Sequence, residues 1–118
     1  MDVVANGLRF TCLTGGRGPL VLMLHGFPDT PHTWDHARPV LVEAGFRVVT
    51  PYMRGYAPTE IPVDGRYDSD TLGRDVLAHI LALGEEKATV VGHDWGASAA
   101  YAAVGLAPGQ AILLALAA

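Results

Sequence analysis

Apolar and polar positions along the chain alternate between strand-like and helix-like segments. Leu8, Phe10 and Cys12 interleave with Arg9 and Thr11 just after the turn dipeptide Asn6-Gly7, which predicts a β-hairpin over residues 2–14. Continuous apolar runs of strand length follow at 20–24, 47–50, 88–91 and 112–116. Unbroken apolarity fits strands covered on both faces, as in a parallel sheet. Between the runs, Leu72, Val76, Ile80 and Leu83 recur at helical spacing, with Asp68, Ser69 and Asp70 as caps and Gly84 as a stop. Trp34, Ala37, Val40, Leu41 and Ala44 mark a second apolar face before Gly45, with Pro39 starting or kinking it. A third, Ala-rich helix is expected over 97–107, ending at Pro108. This alternation predicts an α/β fold: an N-terminal β-hairpin, then a mainly parallel sheet with helices on both faces and right-handed crossovers.

Composition narrows the function classes. A chain of 118 residues holds one domain at most, and 50% hydrophobic with 17% charged residues excludes intrinsic disorder. A net charge of -4 and the lack of any basic run exclude a nucleic-acid binder. The longest apolar stretch, 98–118, is broken by Pro108-Gly109 into parts too short to span a bilayer, so no membrane role is expected. The single cysteine, Cys12, cannot form an internal disulfide, and on the apolar side of a hairpin strand it is expected to be inert. The Met-Asp-Val start lacks the basic and apolar regions of a secretory signal, and a reducing, cytoplasmic compartment is expected.

The chemistry concentrates at the ends of apolar runs. The segment Val90-Val91-Gly92-His93-Asp94-Trp95-Gly96-Ala97 leaves a β-branched strand, turns between glycines and enters a small-residue helix. That is the context of a nucleophile elbow, with Asp94 in the place a serine takes in G-x-S-x-G. A carboxylate there can attack without prior deprotonation, and the Trp95 backbone N–H at the helix start would face a developing oxyanion. The loop His25-Gly26-Phe27-Pro28-Asp29 follows the first apolar run, so it and the elbow are expected to share one mouth at the carboxyl ends of the strands.

These two motifs, with Arg54 to Glu60 (RGYAPTE) between them, resemble the epoxide hydrolase branch of the α/β-hydrolase superfamily across essentially the whole chain. The resemblance implies Asp94 as nucleophile forming a covalent alkyl ester, and backbone N–H groups of Phe27 and Trp95 as the oxyanion hole. It also implies Trp95, Phe27 and Pro28 at the substrate, His25, Gly26, His93, Gly92 and Gly96 in support, and no metal or other cofactor. A small apolar epoxide or haloalkane is the implied substrate. Haloalkane dehalogenases share the aspartate chemistry, and Phe27-Pro28 leans towards epoxide hydrolases. Two positions depart from the family pattern: Tyr52 stands where an aspartate is common, and Ala57 replaces a frequent glycine. After Trp95 there is no Asp, Glu, His, Lys or Arg, so the acid, the base histidine and the lid tyrosines of the family have no counterpart. The expectation is therefore a single partial domain over 1–118, the N-terminal part of a longer enzyme, not competent for turnover alone. The rival expectation is a non-catalytic module that binds an apolar ligand or self-associates through an open sheet edge.

Other polar residues carry plainer expectations. His32 and His36 have the i, i+4 spacing of a zinc pair but no third ligand, and no metal is expected. His79 reads as a boundary residue, and Asp64, Asp68, Asp70 and Asp75 as a solvated cluster at a helix start. Asp29 is as suited to capping or solvent as to chemistry, and Ser98 lies inside a helix, away from the elbow. A flavodoxin-like phosphate cradle is disfavoured, because Gly15-Gly16-Arg17-Gly18 precedes a strand instead of following one.

Overall fold

The structure is a computed structural model that describes the backbone of residues 1–116 and the side chains of residues 1–111. Strands β1 (Asp2–Ala5) and β2 (Leu8–Gly15) form the hairpin, turning through Asn6 and Gly7 at φ 49° and 75°. Then come β3 (Leu20–Leu24), a 3-10 turn (Pro31–Trp34), α1 (Ala37–Glu43) and β4 (Arg47–Pro51). The chain ends in α2 (Ser69–Ala82), β5 (Ala88–His93), α3 (Trp95–Leu106) and β6 (Ala111–Leu116). The sheet order is β1-β2-β4-β3-β5-β6. β2 runs antiparallel to β1 and β4, while β3, β4, β5 and β6 pair in parallel, so the hairpin and the mainly parallel sheet are both present.

The unbroken apolar runs follow from burial on two sides. Leu20, Leu22, Leu24, Val49 and Val90 pack with Leu72, Val76 and Ile80 of α2 and Ala99, Ala100 and Ala103 of α3. The alternate residues Val21, Met23, Val48 and Val91 turn to the other face, against Trp34, Ala37 and Leu41. α2 starts where its caps indicate: the Asp68 side chain accepts from the Thr71 N–H at 3.2 Å, and Gly84 follows at φ 82°. α3 begins at Trp95, two residues earlier than the Ala-rich run suggests.

The α1 region differs from its expected pattern. Trp34 is buried, but Val40 and Ala44 are exposed. The chain makes a 3-10 turn to Trp34 and starts a fresh helix at Ala37, so the helical phase is broken between them and the five positions do not share a face. Pro39 sits in the first turn of α1, where its missing N–H has no intrahelical acceptor to lose. Among the described residues no helix is long and apolar enough to cross a membrane. Among the described residues β6 pairs only with β5 and stands at the edge of the sheet, while the expected uncovered face falls on side chains outside the described residues.

Candidate active site

Register places the two motif loops side by side. β3 pairs with β5 so that Leu24 lies opposite Gly92, and the chain leaves both strands at the same end, into His25–Pro28 and His93–Trp95. Small residues make this approach possible. A Cβ on Gly26 would lie 2.7 Å from the Asp94 Cβ, and one on Gly96 would lie 2.3 Å from the Leu24 carbonyl oxygen. Gly92 is likewise pressed against the Gly96 carbonyl.

Asp94 occupies the tip of the elbow at φ 55°, ψ -115°, a conformation side-chain-bearing residues rarely adopt. Its side chain is exposed, and Oδ2 accepts the Phe27 N–H at 3.0 Å. The N–H groups of Phe27 and then Trp95 hold the carboxyl below the usual carboxylate range, against a smaller opposing effect of burial. The group is thus ionised at neutral pH and cradled by the two N–H groups that a growing negative charge on its oxygen would need.

The Phe27 N–H is itself held in place. Met53 N–H donates to His25 Nε2 at 3.0 Å, which leaves Nδ1–H to donate to the Gly26 carbonyl at 2.9 Å. That carbonyl and the Phe27 N–H are two ends of one planar peptide unit, so His25 sets the orientation of the donor facing Asp94. His25 is fully buried, burial lowers its pKa, and its ring edge meets Tyr56 at 4.6 Å and 88°. Both ring nitrogens are engaged, so His25 has no free nitrogen to serve as a base. His93 is half-buried, with its ring beside Gly26. Pro28 is exposed, and Asp29 accepts the Thr30 N–H at 2.8 Å.

The departures at Tyr52 and Ala57 leave a loop closed by other bonds. The Thr59 hydroxyl donates to the Tyr52 carbonyl at 2.6 Å, and the N–H groups of Tyr56 and Thr59 donate to the carbonyls of Met53 and Tyr56 at 3.0 Å each. That loop brings Tyr56 to the site, where burial and then the charges of Asp94 and Asp29 raise its phenol pKa. Phe27, Arg54, Gly55, Tyr56, Tyr67 and Trp95 line an open cleft of about 330 Å³. Tyr56 and Tyr67 are additions to the expected site. Tyr56 lies inside the RGYAPTE motif and was within reach of sequence reading, whereas nothing around Tyr67 signals its place.

Two polar expectations are corrected. Asp75 is not solvated: it is 5% exposed and receives Arg54 Nε and Nη2 at 2.8 and 3.0 Å and the Asn6 amide at 2.8 Å. His79 is not a boundary residue. It is buried against Phe10, with ring centroids 4.4 Å apart, and among the described residues neither ring nitrogen has a partner. Of the two histidines at i, i+4 spacing, His32 lies in the 3-10 turn and pairs with Asp35 at 2.9 Å, while His36 stands at the N-cap position of α1 without a side-chain cap bond. Cys12 is buried and its thiol is pushed up to about 12, chiefly by desolvation, which keeps it in the unreactive thiol form.

A family model described as "alpha/beta hydrolase fold" matches residues 19–111, a span that includes both loops and the elbow. The chain belongs to the alpha/beta hydrolase fold family. Among similar proteins, the epoxide hydrolase of Caballeronia sordidicola is 38% identical over 108 residues, 91% of this chain and 33% of that protein. The AB hydrolase superfamily protein YfhM of Bacillus subtilis is 41% identical over 103 residues, covering 84% of this chain and 36% of that protein. Among solved structures, epoxide hydrolase VrEH1 of Vigna radiata aligns at TM-score 0.92 and 34% identity, over 98% of this chain and 37% of that one. Epoxide hydrolase A of Mycobacterium thermoresistibile aligns at 0.89 and 36%, with coverage of 98% and 37%. The chain therefore spans about a third of the length of these relatives.

Proposed function

We propose that these residues carry the nucleophile and oxyanion hole of an epoxide hydrolase. The observation that supports the reading is the Asp94 carboxylate at the tip of the elbow, with the Phe27 N–H on Oδ2 at 3.0 Å and the Trp95 N–H beside it. In the first step a carboxylate oxygen attacks an epoxide carbon: a C–O ester bond forms, the ring C–O bond breaks, and the ring oxygen takes a proton from solvent water. In the second, water adds to the ester carbonyl and gives up a proton, charge grows on the oxygen facing the two N–H groups, and collapse breaks the ester's acyl C–O bond, so that the protonated diol leaves and the Asp94 carboxylate is restored. Aligned donors of this kind matter most in that second step, and their value to the first is to keep the carboxylate ionised. The similarity to several named epoxide hydrolases favours an epoxide as substrate.

No residue after Trp95 supplies an acid or a base, so slow, stoichiometric ester formation is the expected activity of these 118 residues. Intact-mass spectrometry after incubation with a small terminal epoxide tests this. One added epoxide mass is expected on the wild-type chain and none on Asp94→Asn. Unmodified wild-type protein that circular dichroism shows to be folded, or equal modification of the variant, would overturn the proposal.

A further inference from the structure

The chain carries a single asparagine, Asn6, and a glycine follows it. Asn-Gly suits the tight turn between β1 and β2 because both positions take positive φ, here 49° and 75°. The pairing that closes the turn is also chemically labile, since Gly7 has no side chain to screen its backbone nitrogen from the Asn6 amide carbon. Both residues are exposed, and nothing lies within 4 Å of the place a Gly7 Cβ would take.

The Asn6 side chain meanwhile holds a long-range contact. Its Nδ2 donates to Asp75 Oδ1 at 2.8 Å, across 69 positions of sequence, and so ties the hairpin turn to α2. Asp75 is 5% exposed, and its remaining partners are Arg54 Nε and Nη2. Such an acceptor needs a donor at position 6, and a carboxylate there would face a second, buried carboxylate. Asn6, Gly7, Arg54 and Asp64 also line a shared groove of about 110 Å³, which brings solvent to the turn.

We propose that Asn6 is a site of spontaneous deamidation, slowed by its bond to Asp75, and that conversion turns the tie between hairpin and α2 into a repulsion. The Gly7 nitrogen attacks the Asn6 Cγ, and a C–N bond forms that closes a cyclic imide. The Cγ–Nδ2 bond breaks, and the Gly7 N–H proton passes by way of solvent to the departing nitrogen, which leaves as ammonia. Water then opens the imide at either carbonyl, giving aspartate or isoaspartate at position 6. Asp94 takes no part in this chemistry.

The test follows intact mass and peptide maps of the full chain at mildly alkaline pH, folded and in concentrated guanidinium chloride. A gain of one mass unit is expected on the peptide containing Asn6 in both samples. The folded protein should convert about ten- to a hundredfold more slowly, the range given by one hydrogen bond to a charged acceptor. The other side-chain amide, Gln110, precedes an alanine and should stay unchanged, and Asn6→Gly should abolish the gain. Gly-Gly and Asp-Gly both close this type of turn, so comparing Asn6→Gly with Asn6→Asp isolates the added charge. Asn6→Asp should unfold at a lower urea midpoint than Asn6→Gly, and the converted wild-type protein should unfold below the fresh one. A folded rate equal to that in guanidinium, or slowing beyond about a thousandfold, which would confine reaction to the unfolded chain, would overturn the proposal. So would an Asn6→Asp protein as stable as Asn6→Gly.

Discussion

A histidine buried without partners couples stability to pH, and His79 is such a residue. Desolvation lowers its pKa from the ordinary 6.5 to about 4. The unfolded chain thus takes up a proton at a pH where the folded chain cannot. The protonation-linked cost of burying His79 vanishes well above pH 6.5, and the fold loses stability as pH falls from there towards 4. The loss is on the order of 2 kcal/mol by pH 5. Urea titrations at pH 7 and pH 5 should show that drop in the wild type and a much smaller one in His79→Leu; parallel drops in both proteins would contradict it. His25 has the same chemistry with its nitrogens satisfied, and its role is to orient one peptide. In His25→Gln the Phe27 N–H is expected to lose alignment, and the Asp94 carboxyl to titrate nearer the ordinary carboxylate range when followed by carbon-13 NMR. An unchanged Asp94 titration in a folded variant would take that positioning role away from His25. The elbow aspartate itself was legible from its flanking glycines, while the buried state of His79 was not, because Phe10 reaches it from a strand some seventy positions earlier.

Among the elements, α2 shows which sequence signals survive folding. The spacing of Leu72, Val76 and Ile80, the Asp68 cap and the Gly84 stop all mark a helix that the structure contains as Ser69–Ala82. Charge within that helix misleads, because a single acidic residue does not announce a partner elsewhere in the chain. Asp75 pairs with Arg54, which reaches it from the loop after β4, and with Asn6 of the hairpin turn. The pair ties α2 to the loop that carries Tyr56. Removing one member leaves a buried charge without its counter-ion, so Asp75→Ala is expected to cost about 3–5 kcal/mol in chemical denaturation. The double variant Asp75→Leu with Arg54→Met should cost clearly less than the single one, since no lone charge remains buried. A cost below about 1 kcal/mol for Asp75→Ala would show the pair to be no better than a surface bridge. The α1 segment teaches the converse: its apolar positions were legible, but the 3-10 turn that resets their phase leaves no mark in hydrophobic spacing.

On the scale of the molecule, the sheet order brings the chemistry together. β3 lies between β4 and β5, so the loops after three neighbouring strands converge at one end and deliver Phe27, Tyr56 and Asp94 to one place. All three loops carry recognisable motifs, and the two that face each other across β3 and β5 lie at one end of the sheet, where their place after apolar runs set them. The aromatic cleft was not legible in that way, because Tyr67 comes from an irregular stretch whose path is set by packing on Gly55 and by the Arg54 cluster. The central claim concerns Asp94, and the most direct test is to find where an epoxide attaches. Peptide mapping of the modified chain should place the added mass on the peptide containing Asp94, as an ester that hydroxylamine removes. Attachment at a histidine or at Asp29 in place of Asp94, or an adduct that resists hydroxylamine, would contradict the account.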